Sequence, residues 1–394
     1  MLAPLRYSKK QRLRQVFYVY NLLKSLEKMN PFLAQLIRSH YRDLQAYISA
    51  GMEAAKDESR IFLNANENPF ALPGLEKSNR YPEQQPKKLL EAYAQLYGVK
   101  QDNIVMTRGA DEAIVILTRL FCEPHEDKIL ITPPTFGLYV VNAHAMPAGT
   151  VEVLLIKENG TYRLDVANII AVAKKEKAKL VYLCSPNNPT ATSFSQTDIL
   201  KIIHELKGFS IVVLDETYAE FSKQGSLVNE LVNHPNLIIL RTLSKSYALA
   251  GERMGSLLAG DEDFVAFVRN KCLDVYPLSV SCINAALHVM DPLIQKVARD
   301  NIAKLLKEKT RFAEEFVKSP LVRHIYPSDA NFFLAEMDDA KGFYDYCMKN
   351  NVVLRDFSSK KLTENCLRIS TGTPEQNDTV LKLLKEFSSL SRAA

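Results

Sequence analysis

The feature that most constrains the fold lies between residues 103 and 259, where short apolar runs alternate with helical patterns. The strand candidates are Asn103–Met106, Lys128–Ile131, Val151–Ile156, Lys179–Cys184, Ser210–Leu214, Asn236–Leu240 and Ser256–Ala259. Helical periodicity over Asp111–Phe121, Asp165–Lys175 and Asp198–Leu206 falls between several of them. A run such as Ile211-Val-Val-Leu214 is apolar at consecutive positions, so both faces of the strand must be buried. Repeated strand–helix units of this kind predict an α/β fold with a mainly parallel sheet covered on both sides. Ligands of such sheets bind beyond the carboxyl ends of the strands, which directs attention to the residues just after each run.

Beyond about residue 290 the pattern changes. A long charged helix pattern over Ile294–Phe316 is followed by strand-like runs at Asn331–Ala335, Val352–Leu354 and Cys366–Ser370. Helical stretches lie near Gly342–Lys349 and over Glu375–Phe387. This predicts a smaller α+β domain. The expected organisation is a basic N-terminal extension over residues 1–38, an N-terminal arm over 39–69, a large domain over 70–290 and a small C-terminal domain over 291–394. A chain of 394 residues is long enough for two cores.

Composition narrows the function. Apolar residues make up 47% and charged residues 24%, the balance of a folded protein rather than a disordered one. Fifty basic against 45 acidic residues leave +5, too little to imply nucleic acid. No apolar stretch is long enough to span a bilayer, so no membrane partner is expected. Cys122, Cys184, Cys272, Cys282, Cys347 and Cys366 form no Cys-x-x-Cys pair, and the seven histidines form no His-x-x-x-His pair. These read as reduced thiols of a cytoplasmic protein without a metal site. Met1 to Asn30 carries Arg6, Lys9, Lys10, Arg12, Arg14, Lys24 and Lys28 against Glu27 alone. Such a segment is either a targeting presequence or a surface helix. The low serine content favours the surface helix, and the segment has no secretory apolar core.

The residues that carry chemistry stand just past the apolar runs. Lys245 sits in Arg241-Thr-Leu-Ser-Lys-Ser-Tyr247, after the run ending at Leu240. Asp215 follows Leu214, with Tyr218 three positions on. A lysine amine can condense with an aldehyde, and a carboxylate at the rim of a core needs a partner to offset its desolvation. A protonated pyridine nitrogen is such a partner. Together these are the parts that hold and use pyridoxal phosphate. An aspartate in this place can also be a helix cap or one half of a salt bridge. In Thr107-Arg-Gly-Ala-Asp-Glu112 a strand turns into a helix, whose leading amides at Ala110 and Asp111 form an anion site or an ordinary helix start. The prolines of Cys184-Ser-Pro-Asn-Asn-Pro-Thr190 force a turn. There Asn187 can donate to the phenolate oxygen of a pyridoxal ring, or close a turn with no ligand. Arg253, in Gly251-Glu-Arg-Met-Gly255, can pair bidentately with a phosphate. Phe136, in Pro133-Pro-Thr-Phe-Gly137, can stack on a ring.

The order and spacing of Asn187, Asp215, Tyr218, Lys245 and Arg253 resemble the fold-type-I aminotransferases, and within them the histidinol-phosphate aminotransferase family. Further resembling segments are Leu63-Asn-Ala-Asn-Glu-Asn-Pro69, Asn79-Arg-Tyr-Pro82, Arg108-Gly-Ala-Asp-Glu112, Tyr276-Pro-Leu-Ser279 and Cys366-Leu-Arg-Ile369. The likeness runs from about residue 40 to the C-terminus, and many motifs in one order are more specific than any one of them. It implies a fold-type-I pyridoxal-phosphate-dependent transferase: a large domain with a mainly parallel seven-stranded sheet, and a smaller α+β C-terminal domain. It also implies pyridoxal 5'-phosphate as cofactor and a homodimer. Small-molecule substrates follow from it too: a phosphorylated amino alcohol, L-histidinol phosphate, and a 2-oxo acid, 2-oxoglutarate. Lys245 would carry the cofactor and shuttle the substrate proton, and Asp215 would keep the ring nitrogen protonated. Tyr218 and Asn187 would hold the ring oxygen, and Phe136 would stack on the ring. Ala110, Asp111, Ser244 and Arg253 would hold the cofactor phosphate. Tyr81 would reach the cofactor phosphate of the neighbouring subunit. Arg355 and Arg368 would grip the anionic end of the substrate, and Tyr47 would close over it.

Two positions depart from the family pattern. Ala191 stands where glycine is usual, which would cost about 1 kcal/mol if the position needs a positive φ. Glu252 beside Arg253 replaces a residue that is commonly apolar, so it is expected to point away from the phosphate or to pair with a base. Three other functions remain open on the sequence: a threonine-phosphate decarboxylase, an aromatic aminotransferase of broad specificity, and a regulator with an aminotransferase-like domain. Residues 1–38 are too short for the DNA-binding domain such a regulator needs.

Overall fold

The structure is a computed structural model that describes residues 26–45 and 61–393. The apolar runs form strands whose side chains alternate between two cores. The strands, in chain order, are β1 Ile104–Arg108, β2 Lys128–Ile131, β3 Gly149–Glu152, β4 Ile156–Glu158, β5 Thr161–Arg163, β6 Leu180–Cys184, β7 Ile211–Asp215, β8 Leu237–Thr242 and β9 Met254–Ala259. All but β4 and β5, which pair as a hairpin, lie in one sheet of order β1-β9-β8-β7-β6-β2-β3. Along β7, Ile211 and Val213 face one core while Val212 and Leu214 face the other, as the consecutive apolar positions require. Neighbours are parallel except at β9, which is antiparallel to both β1 and β8. The expected mainly parallel seven-stranded sheet is therefore present. The single run expected over Val151–Ile156 divides instead, its start joining β3 and its end starting β4.

Helices cover both faces, and their ends are set by caps. The helix Glu262–Lys271 begins at Asp261, whose Oδ1 accepts the Phe264 amide at 2.7 Å. The other oxygen of the same carboxylate accepts the Asn30 amide at 2.6 Å. That bond belongs to an unexpected feature: Met29, Leu33 and Ile37, within the span expected to be an extension, are buried in one of the two sheet cores. Arg38 forms a two-pronged pair with Glu123, at 2.9 and 3.1 Å. The Lys271 ammonium donates to the carbonyls of Tyr41 and Arg42. Residues 29–42 are thus fastened to the large sheet domain by apolar burial and by charge-assisted bonds.

The second sheet consists of β10 Val322–Ile325, β11 Phe332–Met337, β12 Arg355–Asp356 and β13 Cys366–Ser370, in the order β10-β11-β13-β12 and antiparallel throughout. The helices Pro292–Phe316, Ala340–Lys349 and Pro374–Ala393 contribute to its core, where Phe312, Phe316, Phe333 and Phe343 are fully buried. A fourth, small cluster joins the two units. Ala191, Tyr218 and Phe221 from the large sheet's loops pack with Phe332 of β11 and with Ile302, Leu305 and Leu306 of the long helix. Among the described residues, no helix is long and apolar enough to cross a membrane.

Burial of the N-terminal segment yields a test. Leu33→Ala is expected to lower stability by about 3 kcal/mol, the range for truncating a fully buried leucine. Urea unfolding followed by circular dichroism would read this. An unchanged midpoint would mean that the segment is an appendage.

Candidate active site

Strand direction assembles the site. The parallel strands β1, β2, β6, β7 and β8 all deliver their carboxyl ends to one edge. There, Cys184 and Asp215 are register partners, as are Asp215 and Leu240. Because β9 is reversed, its first residues lie at that same edge: Met254 opposite Arg108, and Gly255 opposite Thr107 and Thr242. Arg253 therefore enters beside Gly109, and the motif loops meet at one place.

The helix Gly109–Phe121 starts without a side-chain cap on its leading amides. Glu112 instead reaches back to the Arg108 amide at 2.6 Å and to its guanidinium. The amides of Ala110 and Asp111 are left for an outside anion. Gly109 has φ +73°, and a Cβ there would fall 2.8 Å from Arg253 Nη2, so the guanidinium lies over the helix start. A Cβ on Gly255 would fall 2.4 Å from the Gly109 carbonyl carbon, so only glycine lets the helix seat on β9. Arg253 holds a left-handed φ of +53° and donates to Asp111 Oδ2 at 3.1 Å. The Thr242 hydroxyl accepts the Ser244 amide at 3.1 Å and lies 2.9 Å from Ser244 Oγ.

Asp215 and Glu216 are adjacent, buried carboxylates with opposite surroundings. Glu216 accepts from Arg241 at 2.8 Å, from the Leu227 amide at 2.8 Å and from Ser226. Among the described residues Asp215 has only neutral donors: the Thr217 amide at 3.0 Å on Oδ1, the Thr217 side chain, and the Tyr139 hydroxyl at 2.7 Å on Oδ2. Burial pushes its carboxyl above the usual range, and the bonds from Thr217 and Tyr139 pull it partly back. Among the described residues no arginine or lysine hydrogen-bonds to it.

Lys245 is exposed at the same edge. Loss of solvent, then the nearby Arg368 and Arg253, pull its ammonium below the usual lysine range, against the opposing pull of Asp111 and Asp215. The Tyr218 hydroxyl is held protonated, its pKa raised by burial, and its ring meets Phe332 edge-on at 5.2 Å. Asn187 is fully buried and its amide is committed: it donates to the Pro134 carbonyl at 2.8 Å and to Thr190 at 2.9 Å, and accepts from Thr135 at 3.1 Å. It can bind a ring oxygen only by giving up one of these bonds. Its neighbour Asn188 turns to the small sheet and accepts from Arg368 at 2.5 Å.

Arg368 and Arg355 are cross-strand partners on β13 and β12. Arg368 lies between the rings of Phe332 and Phe357, at 5.3 and 5.8 Å, and its Nε is buried without a partner. Phe136 is half-buried and meets Tyr139 edge-on at 5.5 Å. Tyr81 is stacked on Tyr276 at 4.3 Å within the same chain. Tyr47 lies outside the described residues. Ala191 does adopt a left-handed φ, +60°, the condition under which alanine is strained. Glu252 is half-buried, and its amide donates to the Leu249 carbonyl.

Residues 48–384 match the family model for aminotransferase class I and II. The chain belongs to the class I and II aminotransferases. It is 36% identical over 367 residues to a histidinol-phosphate aminotransferase of Xylella fastidiosa, covering 93% of this chain and all of that one. It is 38% identical over 355 residues to the protein of that name from Xanthomonas axonopodis pv. citri, covering 90% and 97%. Among solved structures it resembles a histidinol-phosphate aminotransferase of Sinorhizobium meliloti in complex with pyridoxal-5'-phosphate, with TM-score 0.71, 22% identity, and coverage of 78% and 83%. An L-threonine-O-3-phosphate decarboxylase from Porphyromonas gingivalis is also similar, with TM-score 0.66, 23% identity, and coverage of 80% and 92%. The structural likenesses establish the fold. In this class I and II aminotransferase, sequence reasoning missed Tyr139 and Asn188. The second asparagine of the Asn-Asn pair was a visible signal for Asn188, whereas Tyr139 reads as any core aromatic.

The state of Asp215 can be tested without cofactor. A raised carboxyl pKa in the folded state means that folding takes up protons above the unfolded value of about 4. The cofactor-free protein should therefore lose stability as pH rises from there through the folded pKa. Asp215→Asn lacks that loss and should become the more stable protein above this window. Thermal unfolding across pH measures it, and a difference independent of pH would contradict the assignment.

Proposed function

We propose that this protein is a histidinol-phosphate aminotransferase. It would move an amino group from L-histidinol phosphate to 2-oxoglutarate, giving imidazole acetol phosphate and L-glutamate in histidine biosynthesis. Pyridoxal 5'-phosphate would be the cofactor. The observation that carries the reading is the meeting, at one sheet edge, of an amine, a buried unpaired carboxylate and an open anion cradle, in a chain of which relatives of that name match 90% or more.

The residues fit the cofactor. The Ala110 and Asp111 amides, Ser244 and Arg253 would hold its phosphate, with Gly109 and Gly255 allowing the close approach. Asp215 would face the ring nitrogen, Phe136 the ring face, and the Tyr218 hydroxyl the ring oxygen. When bound, pyridoxal phosphate supplies an aldehyde for amines and a ring that takes up the electron pair of the substrate's breaking Cα–H bond. Lys245 has its proton affinity lowered by loss of solvent and by the nearby Arg368 and Arg253. It can take the substrate proton at Nζ and return it. Asp215 would accept the ring N–H, and the surrounding low dielectric would strengthen that pairing. Arg368 and Arg355 would bind the phosphate of one substrate and the carboxylate of the other, because a planar guanidinium suits both anions.

We also propose a cytoplasmic homodimer. The six cysteines are free thiols, as suits a reducing compartment. Ile61, Leu63 and Phe70 are 88%, 86% and 81% exposed, a concentration of bare apolar side chains that marks an interface. Tyr81 follows this strip and would reach the partner's cofactor phosphate. Light scattering should give twice the 44.5 kDa chain mass, and Phe70→Asp with Leu63→Asp should shift it toward monomer with loss of activity. A wild-type monomer would refute the dimer.

The reaction is tested by a half-reaction. Protein loaded with pyridoxal phosphate is mixed with L-histidinol phosphate and no 2-oxo acid. The absorbance of the pyridoxal form should give way to that of the pyridoxamine form, and Lys245→Ala should slow this by about a hundredfold or more. An unchanged spectrum would sink the substrate assignment. Carbon dioxide released from O-phosphothreonine would replace it with the decarboxylase.

A further inference from the structure

We infer that Tyr139 is a positioning residue for Asp215: its buried hydroxyl, donating to Oδ2, fixes the rotation of the carboxylate and holds it as an acceptor toward the ring nitrogen of the cofactor. The ring-nitrogen part rests on the function proposed above. The Tyr139–Asp215 pairing does not.

The terminal torsion of an aspartate is broad and has no strong preference of its own. Asp215 is pinned by Thr217, through its amide at 3.0 Å and its side chain, and on the other oxygen by the Tyr139 hydroxyl at 2.7 Å. These donors are neutral. An arginine in their place, as Glu216 has in Arg241 at 2.8 Å, would fix the carboxylate equally well but would compete with a cationic ring for its charge. Hydrogen bonds from neutral groups steady the anion and leave it unpaired.

Tyr139 is itself held in place. It is fully buried, stacked on Tyr182 at 4.6 Å and 15°, and edge-on to Phe136 at 5.5 Å and 86°. Burial and the Asp215 charge raise its phenol pKa, so it remains a donor. It lies three residues after Phe136, at the start of the helix Leu138–Ala145. One turn of chain would therefore set both the face of the ring and the acceptor for its nitrogen. The other titratable groups acting on Asp215 and its hydrogen-bond partner are Cys184, Tyr182, Tyr218, Asp111 and Lys245. None of them is a hydrogen-bond donor to the carboxylate.

The test compares Tyr139→Phe with Tyr182→Phe. The second change removes an equally buried hydroxyl, one that lies 3.4 Å from Thr118 Oγ1 and makes no bond to Asp215. In cofactor-free protein, losing the Tyr139 donor should raise the Asp215 pKa further. Stability should then fall over a wider window as pH rises, so that the deficit is larger at about pH 8 than at about pH 5. This pH dependence should vanish when Tyr139→Phe is combined with Asp215→Asn, and it should be absent in Tyr182→Phe. In loaded protein, Tyr139→Phe should bind pyridoxal phosphate about tenfold more weakly, the scale of one hydrogen bond to a charged group. It should also lose kcat more than KM changes, while Tyr182→Phe stays within about twofold of wild type. If the two variants match in both the pH profile and the cofactor affinity, Tyr139 only packs and the inference fails. A wild-type protein that takes up no pyridoxal phosphate would remove the cofactor reading, and the pH profiles would still decide whether Tyr139 holds Asp215.

Discussion

Everything at the sheet edge depends on one uncompensated buried charge. Asp215 and Glu216 are consecutive in the chain and equally removed from water, yet only Glu216 receives an arginine. Taking a carboxylate out of water without a countercharge costs several kcal/mol, and a fold does not keep such a cost at a site with no use for it. The strain is local and directed. The strands on either side of Asp215 are largely apolar up to its register partners Cys184 and Leu240, its donors are neutral, and Lys245 lies near enough to feel its charge. Stability given up at this point is recovered when a cationic ligand arrives, which is the usual relation between an active site and its scaffold.

The reversed strand is the second condition. Were β9 parallel like its neighbours, Arg253 would stand at the opposite end of the sheet, about 20 Å from the helix start it now covers, at 3.3 Å per residue over a six-residue strand. Reversal puts Arg253, Gly255 and Gly109 within contact distance. The price is a pair of left-handed backbones, Gly109 where it is free and Arg253 where it is not. Positive φ at an arginine is uncommon, and here it aims the guanidinium at Asp111 and the leading amides.

Much of this was legible in the sequence, for a physical reason that also explains the gaps. Strands buried on both faces must be apolar at consecutive positions, so β2 was located to the residue and the other large-sheet strands to within a few; β13 of the small sheet, buried at all but two positions, was also located to the residue. The functional side chains stand where those runs end, which is why Asp215, Lys245 and the helix start at Gly109 could be singled out. Direction leaves no such mark, so the reversal of β9 was invisible. The helix Leu138–Ala145 was missed because its residues are apolar almost all round and show no period. With it went Tyr139, whose importance appears only once Asp215 is in place. Met29, Leu33 and Ile37 repeat every four residues, an apolar stripe that was overlooked beneath the excess of lysine and arginine around it. The division of the two asparagines, Asn187 inward and Asn188 to Arg368, follows from the turn geometry and not from composition.

The coupling between the two sheets comes down to that turn. Ala191 accepts the left-handed conformation its sequence disfavours, and its carbonyl takes the Asp329 amide at 2.8 Å, which ties the asparagine loop to the strand connection of the small sheet. The same connection is braced from beneath by Lys309, whose buried ammonium donates to the Ser328 carbonyl at 2.7 Å, to Ser328 Oγ at 3.0 Å and to the Ala330 carbonyl at 2.8 Å. All three of its hydrogens are used, and burial draws its pKa down to about 8. Arg368, by contrast, has no carboxylate partner among the described residues. It is oriented by two aromatic rings and one amide oxygen, faces Arg355 across the strand pair, and is left with an unmatched Nε. An arginine pair held this way repels itself until an anion sits between the guanidinium groups. The small sheet thus carries a positive counterpart to Asp215: a charge that the fold places, braces and leaves for a ligand to satisfy.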